Sequence, residues 1–317
     1  MPPNVTRPMI DLYDAFTHGA ISRRDFLDRL ARVAGGTAAA TALLPILAND
    51  YARAAPLIAE DDARLDIFTA RFDTGGIVDL LEPEESVAEG APNAGVIPTK
   101  HLPFVTAYGA RLKKGGPAPA VIVIHENRGL NPHIRDVARR IALEGFHAFA
   151  VDMLSPYGGT PSDEDRARDM IGKLNSDKTV AKLAEVAKSL SLLKTHKRQV
   201  GAVGFCWGGG MVNRLAAASA ALKAGVCHYG RGPSAEEAAT IRARMMMHYA
   251  GNDARINDGV PAYEAALKAA GVDYQAFFYD GAEHAFNNDT NAARYDAGAA
   301  ALAWSRTIAF FKEALDG

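Results

Sequence analysis

The segment Val203-Gly204-Phe205-Cys206-Trp207-Gly208-Gly209-Gly210 constrains this chain more than any other. It has the form G-x-C-x-G. An apolar β-type run, Val200 to Phe205, precedes it, and a helix-type stretch from Gly208 to Leu222 follows. A sharp strand-to-helix turn brings positions 204 and 208 against neighbouring backbone, where glycine fits most easily. The apex residue, Cys206, is then pushed out at the carboxyl end of a sheet, where ligands bind in open α/β folds. A helix starting there points its amide dipoles at the sulfur and favours negative charge on it. The Trp207 N–H is placed to donate to an oxyanion.

The surrounding pattern suits a mostly parallel sheet covered on both faces. Val121–Ile124 is a continuous β-branched run, as in a strand buried on both sides. Asn131 and Pro132 read as N-cap and first residue of a helix carrying Ile134, Val137 and Ile141. Strands are expected at Ala148–Val151, 225–229, 245–249 and 272–278. Helices are expected over 180–193, 260–270 and 304–315. From Asp66 to Arg111 the chain reads as strand and turn, broken by Gly75-Gly76, Pro83, Pro92 and Pro98.

A thiol nucleophile needs a base, and the base needs an orienting group. In α/β-hydrolases the acid and then the histidine follow the nucleophile in chain order. Asp253 follows the strand ending near Tyr249, and His284 follows the next strand. Competing acids are Glu283, Asp258 and Asp280. The competing histidines His125, His228 and His248 fit packing or hydrogen-bonding roles. His125-Glu126-Asn127-Arg128-Gly129-Leu130 follows the buried Val121–Ile124 strand, so the backbone N–H of Asn127 is the candidate second oxyanion donor. Glu126 either faces the thiol or pairs with Arg128.

The HENRGL loop, the GFCWGGG elbow, YAGNDARIN and GAEHAFNN together resemble the dienelactone hydrolase family, the carboxymethylenebutenolidase-like α/β-hydrolases. The resemblance runs from about residue 70 to the end. It implies an α/β-hydrolase fold and a Cys206–His284–Asp253 triad, with Glu126 interacting with the thiol in the resting enzyme. It also implies a small ester or lactone substrate, an acyl-thioester intermediate, and no metal or organic cofactor. Well-studied members hold the substrate carboxylate with two arginines. The matching neighbourhoods here, Asp152–Tyr157 and His284–Asn288, contain none. Arg128, Arg231 and Arg255 are candidate substitutes, with Tyr157 and Phe286 as further substrate contacts. The same residues would serve a thioesterase or acyl transferase, and a non-catalytic ligand-binding member is the other class of reading.

Composition narrows the partners. With 35 basic and 37 acidic residues the net charge is −2, which argues against wrapping nucleic acid. Two cysteines exclude a disulfide scaffold and a multi-cysteine zinc site, and Cys227 is expected in the core.

Residues 1–54 are expected to stand apart from one α/β domain over 55–317. Ser22-Arg23-Arg24-Asp25-Phe26-Leu27, the Ala- and Gly-rich run over 31–48 and Ala52-Arg53-Ala54 resemble a twin-arginine export signal with a cleavage site. Cleavage after Ala54 would leave residues 55–317 in the periplasm or outside the cell. The alternative is a retained amphipathic helix with two surface arginines on a cytoplasmic protein. The run is too mild and too broken by Pro45 for stable membrane insertion.

Overall fold

A computed structural model describes residues 5–48, 56–75 and 104–315. The Ala52-Arg53-Ala54 site and the breaks at Gly76, Pro83, Pro92 and Pro98 lie outside these residues.

The core is an eight-stranded sheet: β1 (Leu65–Asp73), β2 (Phe104–Leu112), β3 (Ala120–Ile124), β4 (His147–Asp152), β5 (Val200–Phe205), β6 (Ala224–His228), β7 (Arg244–Ala250) and β8 (Tyr274–Tyr279). The strand order is β1-β2-β4-β3-β5-β6-β7-β8. β1 and β2 pair antiparallel with each other, and β2 pairs antiparallel with β4. All pairings from β4 through β8 are parallel. Parallel strands need helical crossovers, which cover both faces, and every residue of β3 to β6 is accordingly buried.

The helices, in chain order, are α1 (Arg7–Thr17), α2 (Arg23–Ala34), α3 (Thr37–Leu47), α4 (Pro132–Leu143), α5 (Glu164–Lys173), α6 (Ser176–Leu192), α7 (Trp207–Ala218), α8 (Ala235–Ala238), α9 (Ala254–Asn257), α10 (Val260–Ala269) and α11 (Ala297–Leu315). Helix α4 begins as its sequence implies, with Pro132 first and the Asn131 side chain accepting from the Ile134 N–H at 3.0 Å. Ile134, Val137 and Ile141 of α4 pack on one face of the sheet with Phe311 and Leu315 of α11. Helices α5, α6, α7 and α10 form the core on the other face.

Some boundaries differ from those expected. Helix α7 ends at Ala218, four residues before Leu222, where Ser219 takes extended backbone. The last strand starts at Tyr274 rather than Val272, and as an edge strand it is only partly buried.

β3 lies between β4 and β5, so the chain leaves it in opposite directions along the sheet. This reversal opens a crevice at the carboxyl ends of β3 and β5. The loop carrying Glu126 and the elbow carrying Cys206 meet there.

Residues 5–48 form a three-helix unit with its own small core of Met9, Tyr13, Phe16, Phe26, Leu30 and Leu43, among others. No single helix among the described residues is long and apolar enough to cross a membrane. Helices α2 and α3 meet at 111°. The unit rests on the crevice. Asn291 Nδ2 donates to the Leu47 carbonyl at 2.9 Å, Arg294 pairs with Asp14 at 2.6 Å, and Arg23 pairs with Asp165 at 2.6 Å.

Candidate active site

The turn after β5 is as tight as the glycine pattern requires. A Cβ on Gly204 would lie 2.2 Å from the Gly208 carbonyl oxygen. One on Gly208 would lie 2.4 Å from the carbonyl oxygens of Ile124 and His125. Cys206 sits at the apex with φ 55° and ψ −115°, in the left-handed region that non-glycine residues rarely adopt. Such strain costs about 1–3 kcal/mol and must be held by its surroundings. Here the Cys206 N–H donates to the His228 carbonyl at 3.0 Å, and its own carbonyl accepts from Gly210 at 3.2 Å.

His284 and Asp253 come from the loops after β8 and β7. They are 2% and 6% exposed, and His284 Nδ1 lies 2.5 Å from Asp253 Oδ2. His284 Nε2 is buried without a hydrogen bond of standard geometry. A ring nitrogen of His284, one of His18 and the Cys206 sulfur lie within 4.8 Å of one another. Burial works against charge on His284, but the Cys206 sulfur and the Asp253 carboxylate outweigh it, and its pKa is pushed up to about 10. Burial also opposes charge on Asp253, yet His284 and Arg255 hold its carboxyl below the usual range.

Trp207 opens α7, and its ring stacks on His125 at 5.3 Å between centroids. His125 Nε2 accepts from the Met153 N–H at 3.3 Å, so Nδ1 carries the proton toward the Glu126 carbonyl 2.6 Å away. This histidine therefore braces the Glu126 backbone on one side and Trp207 on the other. The Glu126 side chain is buried and accepts from Asn288 Nδ2 at 2.9 Å. The Asn127 side chain donates to the Thr17 carbonyl at 2.8 Å.

A cavity of about 680 Å³ opens beside the sulfur, lined by Cys206, Trp207, Met211, Ile256, Arg231 and Arg255, among others. Three of the sequence-derived substrate contacts lie elsewhere. Arg128 pairs with Asp165 at 3.2 Å and lies 4.0 Å from Glu164, under the N-terminal unit. Tyr157 is buried beside Lys182, whose Nζ donates to its hydroxyl at 3.4 Å. Phe286 is buried against Tyr279 and Tyr229. Residue spacing put all three near the right loops, but their side chains are drawn toward acids or into the core. Cys227 is fully buried on β6, and burial pushes its thiol up to about 12. His248 is buried between Tyr279 and Thr307, consistent with a packing role.

His18 is the site residue that the sequence did not reveal. It follows α1, and its Nε2 lies 3.3 Å from Cys206 Sγ. Its ring stands edge-on to His284 at 4.9 Å. The regular spacing of Met9, Tyr13 and Phe16 was the available sign that this stretch folds as an amphipathic helix. The donor atoms of His18, Cys206 and His284 are close enough for a soft divalent cation to bridge. However, Arg255 Nη2, 3.3 Å from His18 Nε2, sets a fixed positive charge against one.

Comparison with known proteins bears on family and fold. Residues 105–315 match the model of the dienelactone hydrolase family, and residues 8–36 match a model described as YqhI-like. A "Putative carboxymethylenebutenolidase" of Escherichia coli strain K12 is 33% identical over 222 residues, covering 65% of this chain and 82% of the relative. The solved structure of a "Putative Dienelactone Hydrolase" from Klebsiella pneumoniae is 28% identical with a TM-score of 0.60, covering 78% of this chain and 99% of that one. A dienelactone hydrolase-like promiscuous phosphotriesterase from metagenomic libraries superposes with a TM-score of 0.63 at 21% identity, which speaks to fold alone. It covers 79% of this chain and 99% of that one.

Proposed function

The chain belongs to the dienelactone hydrolase family, and from that premise we propose that it is a carboxylic ester hydrolase acting on small esters or lactones through Cys206, His284 and Asp253. One observation carries the reading. The buried His284 joins Asp253 through Nδ1, and one of its ring nitrogens lies within 4.8 Å of a sulfur held at a strained elbow.

His284 takes the proton of the resting Cys206 thiol, the thiolate attacks the substrate carbonyl carbon, and the backbone N–H groups of Trp207 and Asn127 receive the developing oxyanion. The tetrahedral adduct collapses, the C–O bond breaks, and the leaving oxygen takes the proton from His284. The acyl group is now a thioester on Cys206. His284, neutral again, removes a proton from water as that water attacks the thioester. Collapse of the second adduct releases the acid and frees the thiolate, which regains its proton from His284 to restore the resting thiol. Asp253 fixes the ring and balances its charge throughout. Glu126 keeps the role that the resemblance gives it, a carboxylate interacting with the resting thiol. Arg231 and Arg255, both lining the cavity, supply positive charge for a substrate carboxylate.

A panel of aryl esters and lactones tests this reading. Cys206→Ala and prior treatment with iodoacetamide should each abolish turnover. Activity surviving both would remove Cys206 as nucleophile.

For the N-terminus we propose retention rather than export processing. The supporting observation is the set of ion pairs and hydrogen bonds that tie residues 5–48 to Asp165, Asn291 and Arg294. N-terminal sequencing of the mature protein decides it: a start near residue 55 would establish cleavage instead.

A further inference from the structure

Helix α1 touches the loops that carry each reactive group. At its start, Arg7 Nη1 binds Glu283 at 2.7 Å, next to His284, and Arg7 Nη2 donates to the Asn252 carbonyl, next to Asp253. At its end, the Thr17 carbonyl accepts from Asn127 at 2.8 Å, in the loop after β3. His18 follows, against the elbow itself. Arg7 and Glu283 are 276 positions apart in sequence, so this fit is tertiary.

The hydrogen bonds of His18 define its tautomer. Nδ1 lies 2.8 Å from the Asp14 carbonyl, which can only accept, so Nδ1 bears the hydrogen. Burial, His284 and Arg255 hold the ring neutral, well below its ordinary pKa. Nε2 therefore presents a lone pair 3.3 Å from Cys206 Sγ and 3.3 Å from Arg255 Nη2.

We propose that His18 is a specificity-determining residue of the active site, delivered by the N-terminal helical unit, which accepts a hydrogen bond from the resting Cys206 thiol and limits the size of the acyl group that reaches it. The proposal rests on the reading of Cys206 as nucleophile and on the proposed retention of residues 5–48. Attack requires the carbonyl carbon about 3–3.5 Å from the sulfur. His18 already occupies one side of the sulfur at that range. Thr17, His18, Gly19 and Ala20 form one wall of the same cavity that Met211, Ile256 and Arg231 line. Substrate therefore enters with the N-terminal unit in place, and the space between this wall and the sulfur sets which acyl groups fit.

The test uses the full chain. His18→Ala, His18→Gln and Ala20→Leu are compared with the parent for hydrolysis of p-nitrophenyl esters from acetate to octanoate, and for the rate at which iodoacetamide alkylates Cys206. His18→Ala should raise the octanoate-to-acetate ratio of kcat/KM at least tenfold, chiefly through KM for the long ester. It should also speed alkylation several-fold. His18→Gln keeps an oxygen acceptor of similar reach and should return most of both properties toward the parent. Ala20→Leu thickens the same wall without touching the sulfur, and should shift the ratio the opposite way even if His18→Ala fails to fold. The proposal is overturned if folded His18→Ala keeps the parent's chain-length profile and alkylation rate within twofold, or if Ala20→Leu leaves the ratio unchanged. Cys206→Ala that still hydrolyses esters would instead sink the nucleophile reading. Inactive Cys206→Ala beside an unchanged His18→Ala would sink the His18 proposal alone.

Discussion

Gly204→Ala probes whether the elbow's shape, and not merely the presence of its cysteine, supports turnover. The added Cβ would lie 2.2 Å from the Gly208 carbonyl oxygen, 2.4 Å from the Gly208 carbonyl carbon and 2.9 Å from the Gly209 nitrogen. Ordinary contact begins near 3.4 Å, so the shortfall is about 1 Å. All three neighbours are backbone, and no side chain can rotate aside. The first turn of α7 must move, and with it the Cys206 sulfur and the Trp207 N–H. Misplacement by about 1 Å costs on the order of 100-fold in rate. Overpacking of this kind costs about 1–3 kcal/mol of stability, at about 2–4 °C of Tm per kcal/mol for a domain of this class. The assay is kcat/KM on an aryl acetate beside thermal melting. Gly298→Ala is the control, since its Cβ would meet only Asp296 Oδ1 at 3.5 Å, and it should leave activity unchanged. A folded Gly204→Ala protein retaining kcat/KM within twofold of the parent would refute the reasoning.

Other consequences are equally direct. Asp253→Asn removes the charge that orients His284 and should lower kcat on the order of 10³–10⁴-fold; a loss below tenfold would deny Asp253 that role. Arg255→Ala should raise KM about tenfold for a carboxylate-bearing ester and much less for a neutral acetate of similar size, and equal effects would remove Arg255 as a charge contact. Burial pushes His228 down to about 3 and His196 down to about 4, so both stay neutral in the folded protein while the unfolded chain takes up protons below about pH 6.5. Stability should therefore fall as pH drops from 6.5 toward 4, by up to about 1.4 kcal/mol per pH unit for each group. Urea midpoints between pH 7.5 and 4.5 measure this, and a constant or rising midpoint would contradict it.

The fold was legible because its signals are local. The buried run of β3, the Asn131-Pro132 helix start and the glycines of the elbow each state their geometry within a few residues. The loops holding Cys206, Asp253 and His284 were legible for the same reason, since each follows a recognisable strand. Side-chain direction was not. Arg128 sits in the right loop, but Asp165 draws it under the N-terminal unit, and Phe286 turns into an aromatic cluster. His18 was hidden more deeply. An arginine pair followed by a mild apolar run gives no sign of contacts that span most of the chain, such as Arg7 with Glu283.

The central claim is that Cys206 carries the acyl group during turnover. Acid-quenched protein taken during hydrolysis of p-nitrophenyl acetate, analysed by peptide mass spectrometry, tests it most directly. The account predicts an acetyl mass increment on the peptide containing Cys206, absent from Cys206→Ala, which should also be inactive. Steady turnover with no adduct on that peptide, together with an active Cys206→Ala protein, would contradict it.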